Sequence, residues 1–496
     1  MRIGIVGAGF AGLSTAKVLT QVGHDVVVYD KTADVGGVWS ASRRYPGVTT
    51  QSAKDTYALS DYPMPKDYPE WPSGEQVQAY LAGYVAAFDL GRRLRLDCEV
   101  TSAQLRPDGE GWNLALRSTL DGARSLERVD HLIVANGVFS EPLLPEYDGL
   151  DDFTAAGGRL CAASDFQDAE QARDQHAVVV GYGKSACDVA LQISEVAAAT
   201  DVIARQLLWK VPKRIGGVVN FKYLLLTRLG EALFRWQHLR GVERFLHGPG
   251  NGVRRRMLNS VGSVSVRQYK LKELGLVPGG AMENIVHGAI GLVTDGFYER
   301  VHEGRIEVHR DTTVKRLLEK DGVPHAELNN GTLLRADLVV CGTGYRQGVG
   351  FLDPAVVDRL LDERGNFMLY RQIHPIDVPN LTFAGYNSSF FSPLNAEMAA
   401  VWTAALLAGS LELPDRDRMR TQVTERLAFM DSATSGHHQH GTKIIPFSMH
   451  NVDEVLDDLG LNIGRLTRAR HWLEPVSPAA YRQVASKLQR RLEPAR

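Results

Sequence analysis

The chain has 496 residues, of which 44% are apolar and 23% charged, and its 56 basic and 58 acidic side chains leave a formal net charge of −2. That composition excludes disordered and fibrous classes and gives no footprint for nucleic-acid binding. At roughly 150 residues per domain, the length predicts two or three domains. Cys98, Cys161, Cys187 and Cys341 form no CxxC pair. This argues against a disulfide framework, a zinc ribbon and a dithiol redox centre, and for a reducing compartment. Arg2 runs straight into Ile3-Gly4-Ile5-Val6 without a basic-then-apolar leader, and no stretch approaches the ~18 apolar residues of a membrane span. A cytoplasmic protein without membrane contact is expected.

Residues 2–6 read as a buried parallel strand, apolar and β-branched. Gly7-Ala8-Gly9-Phe10-Ala11-Gly12 follows, then a helical pattern through Leu13, Ala16, Val18 and Leu19, and a second strand, 25–29, that stops at Asp30. This is GxGxxG in the context it needs: strand, tight turn, helix, strand, acidic residue. Gly7 makes the turn, Gly9 lets the backbone approach a pyrophosphate, and Gly12 lets helix and strand pack closely. The free amides at the helix start hold phosphates. Asp30, 23 residues after Gly7, suits ribose hydroxyls. Beyond it, Lys31 and the string Gly36-Gly37-Val38-Trp39 resemble the continuation found in two-dinucleotide flavoproteins, in which the first loop holds FAD.

The pattern returns at mid-chain. Residues 176–180 read as a strand, Gly181-Tyr182-Gly183-Lys184-Ser185-Ala186 as the loop, and Val189, Ala190 and Ile193 as a helix; a strand at 202–204 leads to Arg205. Ala186 stands at the third glycine, where a small residue is tolerated. Asp30 closes the first copy, but Arg205, 24 residues after Gly181, closes the second. A carboxylate suits a free 2′-hydroxyl, and a guanidinium suits a 2′-phosphate. The second loop is therefore expected to take NADPH, with Lys184 and Lys210 as further positive charge near the same phosphate.

Together these residues resemble the class B flavoprotein monooxygenases, the flavin-containing monooxygenases and their Baeyer–Villiger relatives, from Met1 to about Trp402. Further matches are Tyr45-Pro46-Gly47, Lys54-Asp55, Ser60-Asp61-Tyr62-Pro63 and Ala135-Asn136-Gly137. Residues 337–345, through Thr343-Gly344-Tyr345, resemble the late strand and A-T-G-Y motif that return the chain to the flavin domain. The resemblance adds Phe10, Ala11, Lys31, Gly37, Val38, Trp39, Val100, Thr343 and Gly344 to the cofactor contacts, and Ser185 beside Gly181, Gly183 and Lys184. It implies a cycle in which NADPH reduces FAD, the reduced flavin and O2 form a C4a-(hydro)peroxide, and a small molecule takes the distal oxygen.

Two positions depart from the pattern. Gln51, counted back from Lys54, aligns with an active-site asparagine of the flavin-containing monooxygenases, where Baeyer–Villiger enzymes carry aspartate. Its amide offers a donor and an acceptor without negative charge, which favours oxygenation at a nitrogen or sulfur centre. Baeyer–Villiger oxygenation of a ketone and a non-catalytic sensor binding NADP(H) and FAD are the alternatives. The family fingerprint F-x-G-x-x-x-H is degenerate: residues 153–166 read FTAAGGRLCAASDF, with Ala162 at the histidine position.

The fold expected is α/β with two nested Rossmann-like dinucleotide-binding domains. The FAD domain comprises 1–155 and 335–430, the inserted NADPH domain 165–334, and the C-terminal extension 431–496. Within 215–280, Phe221, Leu224, Leu225, Leu229, Leu233 and Trp236 recur at helical spacing, and Arg254-Arg255-Arg256 reads as a basic turn. Ser392-Pro393-Leu394-Asn395-Ala396-Glu397 opens a helix through Leu407, whose start would stabilise charge on a reduced flavin. His437-His438-Gln439-His440 lacks partners at ligand spacing and reads as a polar loop, so no metal is expected. The tail beyond about 450 is expected to pack over the nucleotide domain or the mouth of the site. The partners expected are a small-molecule substrate and O2, without nucleic acid, and a homodimer stays open.

Overall fold

The computed structural model describes residues 1–287, 291–387, 389–434 and 449–492. Strand Arg2–Val6 lies in the middle of a five-stranded parallel sheet, between Asp25–Tyr29 and His131–Val134, with Leu94–Arg95 and Leu381–Phe383 at the edges. Ile3 and Ile5 are fully buried, as coverage on both faces of a parallel sheet requires. A second five-stranded parallel sheet centres on His176–Val180, between Ala199–Ala204 and Leu338–Cys341, with Glu307–Arg310 and Arg159–Ala162 at the edges. In each sheet the central strand has its immediate successor on one side and a much later strand on the other. That reversal opens a crevice at the carboxyl ends of the strands, where doubly wound sheets bind ligands. Both glycine loops leave their sheets there, and Gly9 and Gly183 begin the helices Phe10–Gln21 and Lys184–Ser194.

The two copies solve one packing problem in opposite ways. A Cβ on Gly12 would overlap the Gly7 carbonyl oxygen, while the methyl of Ala135, just past the neighbouring strand, lies 3.6 Å from that position. In the second copy the helix carries the methyl, on Ala186, and the residue past the neighbouring strand is Gly342, where a Cβ would lie 2.7 Å from the Ala186 Cβ. Each contact holds one methyl, on the strand side in the first copy and on the helix side in the second. Ala186 in the third glycine position is thus matched by Gly342.

Leu338–Cys341 corrects an expected boundary. The apolar run does not return to the flavin sheet; it pairs with both His176–Val180 and Arg159–Ala162, inside the second sheet. An apolar strand buried on both faces satisfies either sheet equally, so the residues alone do not choose. The return to the first sheet comes next. The outgoing segment Glu141–Pro142 and the incoming segment Tyr345–Arg346 pair antiparallel, Leu143 N donates to Gly344 O at 2.9 Å, and Thr343 Oγ1 donates to Leu143 O.

Helix Ser392–Leu407 is buried continuously from Pro393 to Ala405. It packs against Phe10–Gln21 and against the tail helices His450–Asp458 and Gln483–Leu492, so the tail covers a helix of the flavin domain. Residues 215–280 do not form the single amphipathic helix that the spacing predicts. Lys222–Leu225, Arg228–Ala232 and Gly241–Leu246 are short helices, followed by the longer Asn251–Gln268. The break is local chemistry: Thr227 Oγ1 accepts from Gly230 N at 2.9 Å and starts a new helix, and Gly230 packs so closely that a Cβ would overlap the Leu224 carbonyl oxygen. The apolar positions still become core, with Phe221, Leu225, Leu233 and Trp236 buried. Arg254, Arg255 and Arg256 are helical and not a turn.

The tail is tied to this insertion. Arg228 grips Asp453 with two bonds of 2.7 Å, and Glu231 accepts from the amides of Met449 and His450 at 2.5 and 3.1 Å, capping the start of His450–Asp458 with a carboxylate. No described helix is long and apolar enough to cross a membrane.

Gly342→Ala is expected to cost about 1–3 kcal/mol through overpacking and to weaken NADPH binding. Adding Ala186→Gly, which copies the first loop's arrangement, is expected to restore most of both, as read by denaturant unfolding and nucleotide titration.

Candidate functional site

The first cradle is made of backbone. Gly9 caps helix Phe10–Gln21 with no side chain on the first amides, which leaves those donors for a ligand. Gly36 N donates to Ala8 O at 3.0 Å, bringing the Gly36-Gly37 turn onto the loop. Gly9 and Gly37 then meet backbone to backbone, since a Cβ on Gly37 would lie 3.2 Å from the Gly9 Cα. Asp30 stabilises this arrangement directly: Oδ2 accepts from Ala8 N at 2.6 Å, and Oδ1 accepts from Thr32 N and Oγ1 at 2.9 and 2.8 Å. Its unused lone pairs remain for a ribose. The Phe10 and Trp39 rings both edge onto Tyr57, at 5.3 and 6.1 Å. Lys31 and Val38 are exposed, and Ala11 sits where a Cβ on Gly385 would come within 2.8 Å. Val100 is buried at a bulge of the antiparallel sheet Cys98–Leu105, Trp112–Ser118 and Arg124–Val129, in a core cluster with Tyr29. Paired glycine turns, an uncapped helix start and a ribose-side carboxylate fit the diphosphate and ribose of FAD.

The second cradle repeats the plan. Gly181 has φ of 122°, and no heavy atom lies within 4 Å of where a Cβ on Gly183 would project, so the space before the helix start is open. Arg205, just past strand Ala199–Ala204, is exposed and makes no hydrogen bond or ion pair among the described residues. These residues fit a dinucleotide with an extra phosphate. The two lysines expected beside that phosphate lie elsewhere. Lys184 is buried and its ammonium pairs with Asp188; Lys210 is 4% exposed and lies over the Tyr182 ring at 3.3 Å. Burial pushes the Lys210 ammonium down from its ordinary value, with the Cys187 thiol beside it pulling the other way. Asp188 holds Lys184 inward, and the face of the Tyr182 ring holds Lys210.

Segment 45–55 of the flavin domain runs along the second domain. Tyr45 OH donates to Asp188 Oδ2 at 3.3 Å, and Gln51 Oε1 accepts from Leu292 N at 3.1 Å. A Cβ on Gly47 would lie 2.8 Å from the Gln192 side chain. Lys222 Nζ, on the insertion, donates to Asp55 and Glu70 at 2.8 and 2.7 Å. The matches at Tyr45, Gly47 and Asp55 and the departure at Gln51 are therefore four points of one seam. Their partners Asp188, Leu292 and Lys222 carry no motif and were not legible. Ala162, at the degenerate fingerprint position, is buried at the end of Arg159–Ala162, opposite Cys341. His437, His438 and His440 lie outside the described residues.

The structure brings Glu397 of the late helix together with the motif residues Ser60 and Asp61, an association that spacing does not show. Glu397, on the helix Ser392–Leu407, is 1% exposed and accepts from Ser60 N and Ser60 Oγ, both at 2.8 Å. Lys17 pairs with the neighbouring Asp61. Burial pushes the Glu397 carboxyl up to about 7; Asp61 adds to the rise, and Lys17 and Ser60 oppose it. The available signal was a lone acid in a helix otherwise apolar all round.

A family model described as Flavin-binding monooxygenase-like matches residues 1–464. The chain is 25% identical to probable flavin-containing monooxygenase 1 of Arabidopsis thaliana, over 96% of this chain and 94% of that protein. S-allyl-L-cysteine S-oxygenase from Allium sativum superposes with a TM-score of 0.63 at 19% identity, covering 99% of this chain and 94% of its own. Cyclohexanone monooxygenase from Rhodococcus sp. Phi1, bound to NADP+, superposes with a TM-score of 0.67 at 19% identity, covering 92% and 97%.

Glu397 makes stability depend on pH with a defined sign. Its folded value lies above the ordinary 4.5, so its contribution is fully present below about pH 4.5 and is lost as pH rises to about 7, up to about 3 kcal/mol. Between pH 5 and pH 8, Glu397→Gln is expected to gain about 2 kcal/mol relative to the unmodified protein in denaturant unfolding. An unchanged difference would remove Glu397 as the source.

Proposed function

Because the chain belongs to the flavin-binding monooxygenase-like family, we propose that it oxygenates a nucleophilic nitrogen or sulfur centre of a small molecule. It is an FAD-dependent NADPH monooxygenase. Bound FAD, reduced by NADPH, supplies the activation of O2. What this chain adds is binding, orientation and charge. The first glycine loop and the Gly36-Gly37 turn hold FAD, and the second loop holds the NADPH diphosphate. Arg205 takes the 2′-phosphate through charge-assisted hydrogen bonds. The seam along 45–55 holds the two cradles in register and keeps water from their junction.

One observation supports the choice of substrate centre. Gln51 Oε1 is held by Leu292 N at 3.1 Å, which orients the amide and leaves its NH2 as a neutral donor. Three cations of the seam are compensated by acids, Lys184 by Asp188, Lys213 by Asp295, and Lys222 by Asp55 and Glu70; Lys54 is turned to the carbonyls of Pro65 and Lys66, and Lys210 is buried over the Tyr182 ring. Attack on a ketone calls for a cation to hold a negative oxidant, whereas transfer to an amine or thioether needs a neutral donor.

Holoenzyme given NADPH, O2 and a tertiary amine, a thioether and a cyclic ketone is expected to yield an N-oxide and a sulfoxide. Lactone as the sole oxygenated product overturns the reading. Gln51→Glu keeps an acceptor for Leu292 N and loses the donor. It is expected to leave unfolding and the KM for NADPH unchanged and to lower oxygenated product per NADPH about tenfold, as for one lost neutral hydrogen bond. Full product yield would make Gln51 a seam contact alone. Arg205→Ala is expected to raise the KM for NADPH about 10- to 100-fold, as for one lost charged hydrogen bond, with that for NADH unmoved.

A further inference from the structure

The second sheet has an end that the reaction does not use. In the pair formed by Ala199–Ala204 and Glu307–Arg310, Asp201 stands opposite Glu307 and Ile203 opposite His309. Register partners on parallel strands, and residues two apart on one strand, point to the same face of a sheet. Asp201, Glu307 and His309 therefore share one face, and Ile203 on that face enters the core beside them. Glu307 opens its strand and Asp201 lies in the first half of the other. The cluster thus sits toward the amino ends of the strands, away from the crevice at their carboxyl ends. Asp201 and His309 are 108 positions apart, so ligand spacing along the chain gave no sign of it.

The three side chains converge. His309 Nε2 lies 2.6 Å from Asp201 Oδ1 and 4.0 Å from Glu307 Oε1, and one ligand atom from each residue lies within 4.8 Å of the other two. The Asp201 and His309 side chains are 13% and 14% exposed, whereas Glu307 is 76% exposed and can swing. Neither carboxylate pairs with a lysine or arginine among the described residues. The hydrogen bond to Asp201 holds the His309 imidazole above its ordinary value, yet even a protonated imidazole cancels only one of the two negative charges. A largely buried carboxylate is ordinarily paired with a cation or bound to a metal. A divalent ion would balance both carboxylates and leave the imidazole neutral, the form that ligates.

We propose that Asp201, Glu307 and His309 form a binding site for a divalent ion of the zinc class, with water completing its coordination. One imidazole nitrogen and two carboxylate oxygens suit zinc, whereas magnesium and calcium take oxygen ligands. Bonds of about 2.0–2.1 Å set neighbouring ligand atoms of a tetrahedral ion roughly 3.3 Å apart. The His309–Asp201 contact opens to admit the ion, Glu307 closes on it, and the proton shared by His309 and Asp201 leaves to solvent. The role is structural. Glu307–Arg310 is an edge strand with one neighbour, and the ion ties it to Ala199–Ala204, the strand that leads to Arg205.

The test is calorimetric titration of ZnCl2 into the FAD-loaded enzyme after treatment with EDTA. One zinc per chain is expected to bind in the micromolar range and to raise the temperature of thermal unfolding; Mg2+ is expected to do neither. His309→Gln, and Asp201→Asn with Glu307→Gln, are each expected to weaken zinc binding at least tenfold, as even the loss of an outer-shell partner does, and to abolish the thermal shift. Flavin absorbance and the KM for NADPH, both expected to be unchanged without zinc, report that each variant is folded. No saturable zinc binding, equal binding of Zn2+ and Mg2+, or zinc binding unchanged in both variants overturns the proposal. So does zinc kept by His309→Gln but lost when His437, His438 and His440 are replaced, which would assign the ion to that segment.

Discussion

In both sheets the turn that leaves the central strand lies directly against the backbone just beyond the neighbouring strand. A Cβ on Gly181 would lie 2.7 Å from the Gly342 carbonyl oxygen, and one on Gly7 would overlap that of Ala135. No side chain fits between these backbones, and the positive φ of both glycines, 115° and 122°, excludes most other residues on conformational grounds as well. Much follows from that closeness. The helix after the turn begins at the reversal point of the sheet, its first amides face the crevice, and a diphosphate can reach them. The single methyl allowed in each helix–strand contact is the remaining freedom, and the two copies place it on opposite sides.

The two cradles would be independent without the segment at 45–55. It binds the second domain at Asp188 and Leu292 and the insertion at Lys222. The insertion in turn holds the tail through Arg228 and Glu231, and the tail packs on the helix that lies against Phe10–Gln21. The contacts therefore close a circuit: flavin domain, nucleotide domain, insertion, tail, and back to the flavin domain.

What was legible in the sequence was what backbone geometry imposes. Both loops, their strands and helices, and the acid–arginine contrast between Asp30 and Arg205 follow from rules that leave few residue choices. What was not legible depended on side chains with several ways to be satisfied. Lys184 had a phosphate and Asp188 to choose from and turned to the acid. Leu338–Cys341 would complete either sheet. The periodic run from Phe221 to Trp236 gave the core residues correctly but missed the break, because a threonine cap and one glycine override spacing. Asp30 was read as a ligand for ribose, and its contacts with Ala8 and Thr32 show that it fixes the loop. Glu397 was named as part of a helix start, but its surroundings are Ser60, Asp61 and Lys17, all distant in sequence.

The pairing of Glu141–Pro142 with Tyr345–Arg346 has a mechanical meaning. A domain inserted through two separate tethers can tilt, slide and twist on each of them. Here the outgoing and returning segments are laced into one short antiparallel ribbon, with Thr343 and Gly344 bonded across it to Leu143. The ribbon resists shear between its strands but bends readily about its own length. The two tethers of the nucleotide domain thus act as one connection, and the seam along 45–55, at Tyr45, Gly47 and Gln51, is a second, separate attachment between the domains.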